Sequence, residues 1–236
     1  MTTDNRYFLD LAVAFVRGVA LQTGVPALDD NLLTTPIGLL TDKKKHEIIN
    51  VGSECGLKLY RFKRGHADMS RVRQTIGVLQ GVMPQSILDV GSGRGAFLWP
   101  CLDAFLNVPI TAIEVDERRV ELYKTVKRGG IERLNGVHCD IQHPPSEFLK
   151  QQFDVVTMLE VLEHLPDPRV ALNNVVRLAQ RHVIISVPSK EDDNPAHIHL
   201  FTEKSLSEML GGIDGIKSFR YDYVLGHLFA FLTIQK

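Results

Sequence analysis

From residue 86 onward, short apolar runs alternate with segments whose apolar residues recur at helical spacing. That alternation constrains the fold more than any other feature, because strand, helix and strand in succession close into right-handed units around a parallel sheet. The first run, Ile87-Leu88-Asp89-Val90, opens into Gly91, Gly93 and Gly95 and turns apolar again at Phe97 and Leu98. This reads as a buried strand, a glycine turn and the first turn of a helix. Glycine lets the backbone take positive φ and lets a ligand lie against main-chain N–H groups, so a nucleotide-sized site is expected here.

Further strands are expected at Pro109–Val115, Val137–Asp140, Phe153–Leu159 and Val183–Val187, with helices at Phe97–Leu106, Glu117–Lys127, Leu172–Leu178 and Leu206–Leu210. Ser218–Tyr223 and Leu228–Ile234 read as two closing strands separated by Leu225-Gly226-His227. They stand too close for a helical crossover and should pair antiparallel. Upstream, Val72–Val82 reads as a helix closed by Pro84, and Tyr7–Leu21 as an amphipathic helix capped by Asp4 or Asn5. The latter either covers part of the core or forms a lid over a substrate.

The formal charge of −1 gives no global attraction for a polyanion, but the distribution is uneven. Lys43 to Arg73 holds nine Lys or Arg residues against three Asp or Glu, a net +6 that leaves the rest of the chain at about −7. Tyr60 and Phe62 are interleaved with Lys58, Arg61, Lys63 and Arg64, a composition that suits either stacking on nucleic-acid bases or a solvated face. Cys55, Cys101 and Cys139 form no CxxC pair, which fits a reducing compartment and no structural zinc. No apolar run approaches the roughly 18 residues of a membrane span, and the N-terminus lacks a signal-peptide pattern. A soluble cytoplasmic protein without a membrane partner is expected.

In a doubly wound sheet, ligands sit beyond the carboxyl ends of the strands where strand order reverses. Asp89 with the glycine turn, Glu114, Asp140, and Glu160 with Glu163 and His164 all fall at such ends. A carboxylate after the second strand can accept from both ribose hydroxyls, and Asp140 with its adjoining backbone can take an adenine amino group. The turn lacks the longer GxGxxG spacing of dinucleotide sites. Asp89 would also repel a pyrophosphate and attract a ligand with a cationic amino acid end.

Asp89-Val-Gly-Ser-Gly-Arg-Gly95, Thr111-Ala-Ile-Glu-Val-Asp116, Cys139-Asp140, Leu159-Glu-Val-Leu-Glu-His-Leu-Pro-Asp-Pro168, Val183-Ile-Ile-Ser-Val-Pro188 and His199-Leu-Phe-Thr202 resemble, in order and spacing, the motifs of class I S-adenosylmethionine-dependent methyltransferases. The resemblance runs from about Val72 to the C-terminus. It implies an α/β, Rossmann-like, seven-stranded and mostly parallel sheet with an antiparallel C-terminal strand and helices on both faces. Residues 72–236 would form this domain, and residues 1–71 a helical and basic extension that covers the acceptor site. The resemblance further implies that Asp89 and the backbone of Gly91, Ser92, Gly93 and Gly95 hold the methionyl end of S-adenosylmethionine. Glu114 with Val115 would hold the ribose, Asp140 with Ile141 the adenine, and Glu160 would line the same site.

Glu160, His164 and His199 are the candidate catalytic residues, since a base assists when the acceptor is a hydroxyl. The expected acceptor is a small molecule, entering beside the polar loop of residues 189–194. An alternative is a metal site, because Glu160, Glu163, His164 and His197 form a mixed oxygen and nitrogen set suited to Mn, Mg or Zn rather than to a thiolate metal. That set is similar to the Hen1-type small-RNA ribose 2'-O-methyltransferases, which implies an RNA 3' end as acceptor. The chain differs from that type in having Leu200-Phe201 after the histidine, and Ser-Val-Pro-Ser at residues 186–189. A third reading is a cofactor-binding protein without acceptor chemistry.

Overall fold

Val155, Val156 and Met158 are wholly excluded from solvent in the strand that forms the middle of the sheet, as expected of a run apolar on both faces. The computed structural model of the protein describes residues 7–191 and 193–235. Seven strands form one sheet: β1 (Ile87–Val90), β2 (Ile110–Glu114), β3 (Leu134–His138), β4 (Phe153–Leu159), β5 (Ala179–Pro188), β6 (Ile216–Val224) and β7 (His227–Ile234). Their order is β3-β2-β1-β4-β5-β7-β6. The β1 to β5 pairings are parallel, whereas β7 lies antiparallel between β5 and β6. The seven-stranded sheet and its antiparallel terminal strand agree with expectation. Strand order reverses between β1 and β4, so a ligand crevice opens beyond their carboxyl ends.

Eight α-helices accompany the described strands: α1 (Leu9–Thr23), α2 (Asp30–Thr34), α3 (Asp42–Glu54), α4 (Ser70–Val82), α5 (Leu98–Ala104), α6 (Glu117–Arg128), α7 (Pro168–Leu178) and α8 (Glu203–Leu210). Successive strand residues point to opposite faces. Ile87, Ile110 and Val155 therefore join a core with α1, α3, α4, α5 and α6, while Leu88, Ile113 and Val156 join one with α7 and α8.

Helix α1 belongs to the first of these cores. Leu11, Ala12, Val13, Ala14 and Val16 are buried in it, and Phe62 from the basic segment lies 5.1 Å from the Trp99 ring and 5.4 Å from that of Phe15. The expected caps Asp4 and Asn5 lie outside the described residues. Phe8 occupies the N-cap position of α1 without a side-chain cap bond.

Two local expectations are corrected, at the third strand and at His227. The third strand is Leu134–His138 rather than 137–140, because pairing with β2 from Ile110↔Leu134 onward carries Asn135 and Gly136 into the sheet. The lysine run at 43–45 lies within α3, capped by Thr41 accepting from Lys44 N, in keeping with a solvated helix face. His227 is not a turn residue but the first of β7, paired with Pro188, and the turn is Leu225-Gly226 alone.

Candidate functional site

The glycine turn is held from three sides. Gly91, Gly93 and Gly95 have φ of 69°, 57° and 84°. A Cβ at Gly95 would stand 2.1 Å from Trp99 Nε1, so both conformation and space require glycine there. The Trp99 indole N–H donates to the Arg94 carbonyl (3.0 Å) and the Tyr123 hydroxyl to that of Gly93 (2.6 Å). Burial, followed by the neighbouring Glu114 and Asp89, pushes the Tyr123 phenol up, which keeps it a neutral donor. Sequence reasoning did not assign Trp99 or Tyr123 to the site. Their signal was a buried-type aromatic one helical turn past the last glycine, and another in α6.

Glu114, at the end of β2 and only 5% exposed, closes the third side. Its Oε2 accepts from Gly93 N (2.8 Å) and faces Arg119 Nη1 (3.3 Å), and its Oε1 accepts from Val115 N (2.9 Å) and Asp116 N (3.2 Å). The carboxylate thus fixes the turn with donors on both oxygens, and it borders the crevice.

Asp89 is 2% exposed at the carboxyl end of β1. Its Oδ1 accepts from the Thr157 hydroxyl at 2.8 Å, while Oδ2 has no partner among the described residues. Burial drives its pKa from 3.8 to about 6, against the nearby Ser92 hydroxyl and the Thr157 hydrogen bond, with Glu114 adding repulsion. A buried carboxylate oxygen without a donor, beside a turn of N–H groups, is the chemistry that an α-ammonium group completes. Ser92 turns its hydroxyl back onto the Asp89 carbonyl at 3.3 Å, leaving only its backbone for a ligand.

A cavity of about 290 Å³ is bordered by Gly91, Gly93, Glu114, Val115, Asp140, Ile141, Glu160 and His164. Val115 is 61% exposed and Ile141 is buried, so an apolar wall and an apolar floor meet near Asp140. Asp140 Oδ1 accepts from Gln142 N at 2.9 Å, which fixes the carboxylate at the cavity rim. Of the expected cofactor residues, Asp89, Ser92 and Gly95 lie behind this lining rather than in it.

The carboxylates and histidines after β4 separate into two groups. Glu160 has φ of 57°, and its carboxylate contacts Ser186 and His227. Glu163, His164 and His197 form the other, with one ligand-type atom from each all within 4.8 Å of one another. His164 Nδ1 lies 2.9 Å from the Ala196 carbonyl, which orients its other ring nitrogen for a ligand. The buried Glu163 accepts at its backbone carbonyl from Ile198 N (2.9 Å) and His199 N (3.3 Å), pinning the histidine loop to the β4 end. His199 Nε2 lies 3.0 Å from the Leu165 carbonyl.

The interleaved basic segment has a different destination. Tyr60 and Arg61 line a larger cavity of about 610 Å³ together with Arg94, Arg118 and Arg119. It lies across the glycine turn from the first cavity and shares Arg119 with it.

This fold and crevice define a class. Residues 88–182 match the family model described as "Methyltransferase domain", and the sheet around them has the Rossmann-like order. It is 34% identical over 127 residues to a ubiquinone biosynthesis O-methyltransferase of Bordetella parapertussis, covering 50% of this chain and 48% of that protein. The chain therefore spans about half the length of the curated relatives it matches. Among solved structures, the methyltransferase domain of a bacterial Hen1 (CtHen1-C) superposes with a TM-score of 0.57 at 20% identity, covering 71% of this chain and 98% of that one. The 1,6-didemethyltoxoflavin-N1-methyltransferase of Burkholderia thailandensis, solved with S-adenosylhomocysteine, gives 0.56 at 21% identity, covering 72% and 80%. Among the described residues no helix is long and apolar enough to cross a membrane.

Proposed function

We propose that the protein is an S-adenosylmethionine-dependent methyltransferase acting on a small molecule. The observation that carries this is the pairing of an unpartnered, buried Asp89 oxygen with the fixed Glu114 carboxylate across one glycine turn. A cationic amino acid end and a ribose diol are what those two acids bind. Asp89 and the Gly91–Gly93 backbone hold the methionyl end, Glu114 and Val115 the ribose, and Asp140 and Ile141 the adenine. The cofactor supplies an activated sulfonium methyl. The protein's task is then to align an acceptor, worth up to roughly 7–11 kcal/mol in model reactions. Incubation with methyl-tritiated S-adenosylmethionine and a panel of phenols, catechols and amines should label at least one acceptor. Cofactor binding without transfer to any acceptor would favour a non-catalytic cofactor-binding protein instead.

A second reading is supported by the Glu163, His164 and His197 group and by the arginine-lined cavity beside Tyr60. Two imidazoles and a carboxylate suit Mn or Zn better than Mg, and a metal-dependent enzyme would take a ribose 3' end. Under this reading Glu163→Ala and His164→Ala each weaken Mn binding in titration calorimetry by at least about tenfold, the loss of one ligand. Unchanged Mn and Mg binding would remove it.

A further inference from the structure

The cofactor cavity occupies the carboxyl edge of the sheet from β3 across to the residues just past β4. The edge formed by β4, β5 and β7 is left for the acceptor, and there three side chains from three adjacent strands meet. Glu160 follows β4, Ser186 lies near the end of β5, and His227 begins β7 opposite Pro188. Glu160 N donates to the Ser186 carbonyl at 2.9 Å, and the Ser186 hydroxyl donates to Glu160 Oε1 at 2.7 Å. His227 Nδ1 stands 3.0 Å from Glu160 Oε2, an ion-pair contact not aligned as a hydrogen bond, and both side chains are 21% exposed.

The backbone adds an independent sign. Glu160 has φ of 57°, a left-handed conformation without the glycine that would relieve it. Such residues cost on the order of 1–3 kcal/mol and persist where surrounding structure holds them, often at functional sites. Here the strain places one carboxylate so that it borders the cofactor cavity and also receives an imidazole. Burial pushes Glu160 up, but the nearby His227 imidazole, the Ser186 hydrogen bond and the charges of His227 and Arg71 outweigh it, so the group stays ionised.

Resting on the methyltransferase reading, we infer that His227 is the general base of the reaction, oriented by Glu160, and that the acceptor is a hydroxyl compound. A small rotation of the ring aligns Nδ1–H with the Glu160 carboxylate 3.0 Å away, which leaves the lone pair of Nε2 available to the acceptor. As the acceptor oxygen attacks the methyl carbon, its proton passes to Nε2, the new O–C bond forms, and the C–S pair stays on sulfur as a neutral thioether. The positive charge ends on the imidazolium, which the Glu160 carboxylate stabilises until the proton leaves to solvent. His227 is the catalytic residue, and Glu160 and Ser186 position it.

The test combines ring-nitrogen NMR with methyl transfer. In ¹⁵N-histidine spectra of the full chain with S-adenosylhomocysteine, the neutral His227 ring should carry its proton on Nδ1, and Glu160→Gln should shift that tautomer balance. In the tritium assay, label should pass to phenol or catechol oxygens, and His227→Gln should lower kcat by about 10²- to 10⁴-fold with S-adenosylhomocysteine affinity retained. A neutral ring protonated on Nε2, transfer to amines alone, transfer to no hydroxyl, or an unchanged rate in His227→Gln would each overturn the inference. The tautomer measurement is made on wild type, so it decides even where the variant does not fold. Failure of wild type to bind S-adenosylhomocysteine would instead overturn the methyltransferase reading itself.

Discussion

Asp89→Asn is expected to weaken S-adenosylhomocysteine binding at pH 7.5 by about 10- to 100-fold, the value of one charge-assisted hydrogen bond. It should also flatten two pH dependences. The folded pKa of about 6 stands above the ordinary 3.8, so folding favours protonated Asp89. That contribution is fully present below 3.8 and is lost as pH rises through about 6, up to about 3 kcal/mol across the interval. Wild type without ligand should therefore lose stability between these values, and the asparagine variant should not show this component. Ligand affinity runs the other way. An α-ammonium group selects the ionised form, so wild-type affinity should climb as pH approaches about 6 and then level off. Urea unfolding from about pH 3.5 to 8 and calorimetry across about pH 5–8 measure the two. Equal affinity in wild type and variant would show that Asp89 does not face the ligand.

Gly129→Ala is expected to destabilise the chain by about 3 kcal/mol, the upper end of overpacking costs, or roughly 6–12 °C in melting temperature. A Cβ at Gly129 would fall 1.7 Å from the Ala14 carbonyl oxygen, and one at Gly18 would fall 1.9 Å from that of Thr125. Backbone meets backbone where α1 crosses the end of α6, so no side chain can move aside. Gly77→Ala is the control. Nothing lies within 4 Å of its added Cβ, and it sits in the exposed face of α4. Alanine there should stabilise by up to about 1 kcal/mol through helix propensity. Equal melting of Gly129→Ala and wild type would mean that α1 does not pack on α6 as described.

The strands and the acids at their ends were legible because buried parallel strands read as continuous apolar runs, and a polar residue closing such a run marks the carboxyl edge. Asp89, Glu114 and Asp140 stand out for this reason. The N–H groups that Glu114 accepts from were not legible, since they depend on a turn whose shape Trp99 and Tyr123 set from elsewhere. The lysines of α3 suited either nucleic-acid contact or a solvated helix face, and composition alone could not choose because the apolar residues of α3 are few. The split of the ExxEH segment could not be read from spacing. Glu160 leaves the group through its positive φ, and its partner His227 is brought in by the antiparallel pairing of β7 with β5.

The central claim is that the crevice between β1 and β4 is built for a sulfonium nucleoside and not for a dinucleotide. Titration calorimetry of the whole chain with S-adenosylhomocysteine and, separately, with NADH tests it most directly. One-to-one binding of S-adenosylhomocysteine that Glu114→Ala abolishes is expected, with no heat from NADH. Binding of NADH, with none of S-adenosylhomocysteine, would contradict it.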